Sequence, residues 1–248
     1  MGAHWIETAA RHWRHGRIVG HRFAERRPGI RAALRAAAPD SVLLAGNSHA
    51  EFVGAPDLGG RPCINIAVGG STAADCGRQL AALRVPVRCA AAVLIIGTND
   101  IQRWRHPERA RVIDRFEADV GGILRRLEAW AAQVFVAAIP PIGAGVTGRD
   151  PDAVAAFSDR LAALCAAGGH AFIDPFAAWR SGTGGLAGAG LHRDGVHLAD
   201  YAPLAAALAR AVAADMGVVD AVPPARRTRR AAPAAPLRVL RAAWIGRP

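Results

Sequence analysis

Leu43-Leu44-Ala45-Gly46-Asn47-Ser48-His49-Ala50 is the stretch on which the fold turns. The run 41–45 is short, apolar and unbroken, as a strand buried on both faces of a parallel sheet should be. Gly46 lets the backbone turn sharply at its end. Ser48 then stands just past the carboxyl end of a strand, where open α/β sheets gather ligands. A serine alone is a weak nucleophile. It needs a base, and the base needs an acid to orient it.

The flanking sequence repeats the strand-then-turn pattern. A second strand is predicted over 62–67, followed by the glycine turn Val68-Gly69-Gly70-Ser71-Thr72 and a helix over 73–83. The strongest strand, 91–96, ends at Gly97-Thr98-Asn99-Asp100. A long helix follows to about residue 131, with Phe116, Val120, Ile123, Leu124 and Leu127 on one face. A fourth strand, 134–139, stops at Pro140-Pro141. Pro151 opens a helix that Gly168-Gly169 ends. A fifth, shorter strand spans 171–174, and a last helix about 201–215. Five apolar strands alternating with helices imply βαβ units and a parallel sheet covered on both faces.

The two ends differ from this middle. Residues 1–38 carry eight arginines and two acids, and residues 221–248 carry seven arginines and no acid, whereas 39–220 holds 16 arginines and 18 acids. The formal charge of +11 therefore belongs to the ends, and the middle offers nothing to nucleic acid. Three parts are expected: a basic helical arm over 1–38, an α/β domain over 39–219, and a basic Pro/Ala/Arg-rich tail over 220–248, of which 221–236 reads as a disordered linker. Pro28 should divide the arm into two helical pieces. The arm is read as packing Trp5 and Trp13 on the domain while its arginines stay solvated, in preference to contact with a membrane or other anionic surface.

Composition excludes several chemistries. All 31 basic residues are arginine, so a P-loop lysine, a Schiff-base lysine and a catalytic lysine base are ruled out. No secretory pattern opens the chain, and Cys63, Cys76, Cys89 and Cys165 lack metal or redox spacing. A cytoplasmic location with reduced cysteines is the expectation.

The reactive residue types sit after successive strands: Ser48, Gly70, Asn99, then Asp194 and His197. In a parallel sheet those strand ends share one edge, so the five can converge. Asp194 and His197 are three apart, which brings a carboxylate to the near ring nitrogen and leaves the far one to face Ser48. The N–H groups of Ser48 and Gly70 and the amide of Asn99 are candidate donors to a developing oxyanion.

The ordered blocks Gly46-Asn47-Ser48, Asn65 through Gly70, Gly97-Thr98-Asn99-Asp100 and Asp194-Gly195-Val196-His197 resemble the SGNH (GDSL-type) hydrolase superfamily over 39–216. The resemblance implies a three-layer α/β/α fold with a five-stranded parallel, flavodoxin-like sheet. It also implies a catalytic Ser48-His197-Asp194 triad and an oxyanion hole from Ser48, Gly70 and Asn99. The implied activity is that of a serine esterase on carboxylic esters, including O-acetyl or short acyl esters of small molecules or carbohydrates, with no cofactor and no metal. O-acyl transfer at the same site and a catalytically silent binding protein are the alternatives. Asn47 departs from the usual aspartate before the nucleophile, and His49 is read as lying on the following helix.

Three other readings fit less of the chain. A metal site from His49, His192, Asp194 and His197 has loose spacing and reuses two triad residues. Gly46-Asn47-Ser48-His49-Ala50 nearly matches a G-x-S-x-G elbow, but that family places its serine later in the chain and its acid far from the histidine. Structural roles, such as Ser48 as a helix cap, explain each residue singly but not their common order. Substrate selectivity is expected from the loops 52–61, 101–107, 142–150 and 180–192. Trp104 and Trp179 are suited either to stacking on substrate or to packing.

Overall fold

Residues 2–182 and 184–216 are described by a computed structural model. The expected tail, 220–248, lies outside the described residues. The elements in order are α1 (Gly2–Arg35), β1 (Val42–Gly46), α2 (Ser48–Val53), β2 (Cys63–Asn65), α3 (Ala73–Ala81), β3 (Cys89–Ile95), α4 (Ala110–Trp130), β4 (Ala131–Ala137), α5 (Pro151–Gly168), β5 (Ala171–Ile173) and α6 (Ala202–Asp215).

The five strands form one sheet in the order β2-β1-β3-β4-β5. Every pairing is parallel; Leu43, for instance, sits between Ile64 and Ala92. This is the flavodoxin-like order, with β1 beside both β2 and β3 at the switch point. The central strands are apolar throughout because both faces are covered. Leu43, Ala45, Ala92, Leu94, Val134 and Val136 pack with Ile30, Leu34, Leu80, Phe116 and Phe157 on one side. Their alternates Val42, Leu44, Ala91, Val93, Ile95 and Phe135 pack with Phe176, Leu204, Leu208 and Val212 on the other. The result is the three-layer α/β/α architecture.

Two expectations about the amino-terminal arm need correction. Pro28 does not divide it, and α1 runs through the proline. A proline removes only one donor, to the carbonyl four residues back. That residue, Ala24, and Pro28 itself are both exposed, so water can take the bond. Nor does Trp13 anchor the helix, being 65% exposed; Val19, Ile30 and Leu34 do so instead, each nearly fully buried. Strand boundaries also shift by up to three residues. β4 begins at Ala131, directly after the last residue of α4, with no turn to announce it. Among the described residues no helix is long and apolar enough to cross a membrane.

Candidate active site

Ser48 is the first residue of α2, directly beyond the glycine that ends β1. Gly46 has φ +133°, and a Cβ there would lie 1.9 Å from the Ile95 carbonyl oxygen of β3, so no other residue fits the turn. Asn47 caps the helix: its Oδ1 accepts the N–H of His49 at 3.0 Å. The Ser48 N–H, at the first helical position, is one of the donors a helix start leaves unpaired.

His197 reaches Ser48 from the segment between β5 and α6. Its Nε2 lies 2.9 Å from Ser48 Oγ, and its Nδ1 lies 2.7 Å from Asp194 Oδ2. The other carboxylate oxygen of Asp194 accepts the N–H groups of Val196 at 3.0 Å and His197 at 2.7 Å. This turn explains the three-residue spacing. It holds the carboxylate beside the imidazole whose backbone it also binds. Gly195 completes it at φ +80°, braced by Gly143, whose N–H donates to the Gly195 carbonyl at 2.7 Å. Burial raises the Asp194 carboxyl, but the hydrogen bonds from His197 and Val196 outweigh it and hold the group at about 2. An ionised carboxylate only accepts. In the neutral imidazole Nδ1 therefore carries the hydrogen, and Nε2 presents its lone pair to the serine hydroxyl.

Gly70 and Asn99 come from the ends of β2 and β3 and are tied together. Asn99 Nδ2 donates to the Ser71 carbonyl at 3.1 Å. Its Oδ1 accepts from Arg149 Nη2 at 3.1 Å, and Arg149 Nε donates to the Thr98 carbonyl at 2.9 Å. A guanidinium has donors only, so Arg149 dictates which way the Asn99 amide faces. One amide hydrogen is used by Ser71, and the second makes no hydrogen bond among the described residues. Gly70 has φ +83°, and its N–H makes no hydrogen bond among the described residues. The adjacent Gly69 N–H donates to Glu51 Oε2 at 2.5 Å, which fixes the turn to α2. Arg149 and Glu51 carry no signal in the sequence, because their partners lie on distant loops.

The model of the GDSL-like Lipase/Acylhydrolase family matches residues 54–201. The chain belongs to this family. Family membership makes it an ester-hydrolysing enzyme. The matched residues include Gly70, Asn99, Asp194 and His197, and exclude α1, β1 and Ser48. A comparison with curated proteins gave no match. Among solved structures, a GDSL-like lipase from Bacteroides thetaiotaomicron is similar at TM-score 0.62 and 17% identity, over 78% of this chain and 98% of that one. An acetylxylan esterase from Geobacillus stearothermophilus is similar at TM-score 0.52 and 17% identity, over 73% and 95% of the two chains. A carbohydrate acetylesterase from Sinorhizobium meliloti gives TM-score 0.51 and 18% identity, over 72% and 99%. At these identities the structures speak for the fold.

Within this GDSL-type site the Asn47 amide keeps the turn's hydrogen bond but brings no charge, and its Nδ2 is buried without a partner. His49 does lie on α2, fully buried behind His197 with the two ring centres 5.7 Å apart. Its Nδ1 is 3.2 Å from the Tyr201 hydroxyl, and its Nε2 is buried with no hydrogen-bond partner among the described residues. Burial, then the neighbouring His197 and Arg149, push its pKa well below the ordinary 6.5, so it stays neutral. His192 donates its Nε2 hydrogen to the Pro141 carbonyl at 3.0 Å, which engages that nitrogen. Among the described residues no group of three metal-binding side chains converges.

The two loop tryptophans pack. Trp179 meets Phe176 edge-on at 5.6 Å. Trp104 meets His12 of α1 at 4.7 Å and carries the Arg105 guanidinium 4.2 Å over its ring. It lines a cleft of about 820 Å³ between α1, α3 and α4, together with Thr72 and Asp100. That cleft reaches Thr72, two residues beyond Gly70, but neither Ser48 nor His197 lines it.

Proposed function

We propose that this GDSL-type hydrolase is a serine esterase that works through an acyl-enzyme on Ser48. What supports the reading is the continuous hydrogen-bonded line from Ser48 Oγ through His197 to Asp194, at 2.9 and 2.7 Å. Ser48 Oγ attacks the ester carbonyl carbon while its proton passes to His197 Nε2. The carbonyl oxygen takes up negative charge against the N–H groups of Ser48 and Gly70 and the free amide hydrogen of Asn99. The C–O bond then breaks, and His197 returns the proton to the leaving alcohol. Water repeats the sequence on the acyl-enzyme, releasing the acid and restoring Ser48. Asp194 stays ionised throughout and stabilises the imidazolium that forms.

The substrates we infer are acetyl or short acyl esters of small molecules or carbohydrates. The similarity to an acetylxylan esterase and a carbohydrate acetylesterase supports this choice. The test is turnover of 4-nitrophenyl acetate by wild type, Ser48→Ala and His197→Ala. Loss of at least roughly 10³-fold in kcat in both variants is the expected result. Turnover by Ser48→Ala at the wild-type rate would remove Ser48 from the mechanism.

A further inference from the structure

Arg22 stands beside the nucleophile and makes no ion pair among the described residues. It projects from α1, outside the residues the family model matches, and it is exposed. A Cβ built on Gly69 would lie 2.9 Å from Arg22 Nη1 and 3.6 Å from Ser48 Cβ, so guanidinium and nucleophile flank the same glycine. The helix is fixed there. Val19, one turn earlier, is 2% exposed, and its Cγ2 would be 3.3 Å from a Cβ on Gly70. Arg22 is therefore presented by a docked element rather than by a free arm.

The acids nearby are already engaged. Glu51 Oε2 accepts the Gly69 N–H, and its Oε1 faces Arg26 at 3.4 Å. Both oxygens of Asp194 are bound by His197 and Val196. Arg22 itself makes no hydrogen bond or ion pair among the described residues. Two further cations border the site. Arg193 stacks 4.8 Å over Phe52, whose edge meets His197, and Arg149 lies behind Asn99. A planar fork of donors at the rim, beside a Glu51 carboxylate already shared by Arg26 and the Gly69 N–H, suits a carboxylate or phosphate.

We propose that Arg22 binds an anionic group on the ester, so that the enzyme selects negatively charged substrates. This rests on the serine-esterase reading and adds the class of substrate to it. A charge-assisted hydrogen bond at such a rim corresponds to roughly 10- to 100-fold in kcat/KM.

The experiment compares kcat/KM for 4-nitrophenyl acetate with three charged esters. These are 4-nitrophenyl hydrogen succinate (carboxylate on the acyl side), 4-acetoxybenzoate (carboxylate on the alcohol side) and 4-acetoxyphenyl phosphate. Wild type should favour at least one charged ester. Arg22→Gln should reduce that charged-to-neutral ratio by roughly 10- to 100-fold, mainly through KM, and Arg22→Lys should recover part of it. The favoured ester tells which side carries the anion and whether it is a carboxylate or a phosphate. A wild type indifferent to charge, turnover of none of the esters, or a ratio that Arg22→Gln leaves intact would each overturn the proposal. Fluorophosphonate labelling of Ser48 run in parallel separates the two readings. Labelled Ser48 with charge-blind kinetics rejects the role of Arg22 alone, whereas unlabelled Ser48 in folded wild type rejects the esterase.

Discussion

Asn99 illustrates how much of the site depends on single side chains. It is clamped between the Ser71 carbonyl and the Arg149 guanidinium, which fixes the direction of its second amide hydrogen. Asn99→Ala should lower kcat on 4-nitrophenyl acetate by roughly 10²- to 10³-fold. If Arg149 acts by orienting that amide, Arg149→Met should lower kcat in the wild-type background and add little in the Asn99→Ala background. Equal losses in both backgrounds would place its role elsewhere. That Ser48, Gly70, Asn99, Asp194 and His197 gather at one edge was legible in the sequence because each follows an apolar strand, and the strand ends of a parallel sheet share an edge. Arg149, Glu51 and Arg22 were not. Each meets the site across a loop or from a helix whose docking angle no periodicity encodes.

Among the elements, β1 and its exit carry the tightest constraint. Leu43 and Leu44 face opposite layers, and Gly46 passes so close to β3 that a Cβ would overlap the Ile95 carbonyl. Gly46→Ala should therefore cost at least about 3 kcal/mol in urea unfolding, since a positive φ and a backbone clash act together. A loss below about 1 kcal/mol would mean that the turn can relax. Strand centres and helix faces were readable from period and polarity. The boundaries were less so, as at Ala131, where helix passes into strand without glycine or proline. α1 was readable as a helix but not as one packed by Val19, Ile30 and Leu34, because a Trp13 signal pointed to the wrong face. An exposed proline with an exposed partner carbonyl was also misleading as a break.

At the scale of the molecule, carboxyls shifted in opposite senses give stability an uneven dependence on pH. Burial raises Asp100 to about 7, against the lowering effect of the Ala73 N–H and Arg105. Below its ordinary value of 3.8 the group is protonated in both folded and unfolded chains. Between about 4 and 7 only the folded chain keeps the proton, so this group's contribution to stability falls as pH rises through that window and is level above it. Asp75 and Asp194, both at about 2, act in the opposite sense: each stabilises above about 4 and loses that contribution as pH falls towards 2. The stability of Asp100→Asn relative to wild type should therefore be greater at pH 8 than at pH 5 in urea unfolding. The same difference at both pH values would count against a proton-holding Asp100. The central claim concerns Ser48, and labelling with a fluorophosphonate followed by peptide mass mapping tests it most directly. The account predicts a single phosphonylated peptide containing Ser48, absent from Ser48→Ala and strongly diminished in His197→Ala. A folded wild type that stays unlabelled at Ser48, or that is labelled at another serine, would contradict it.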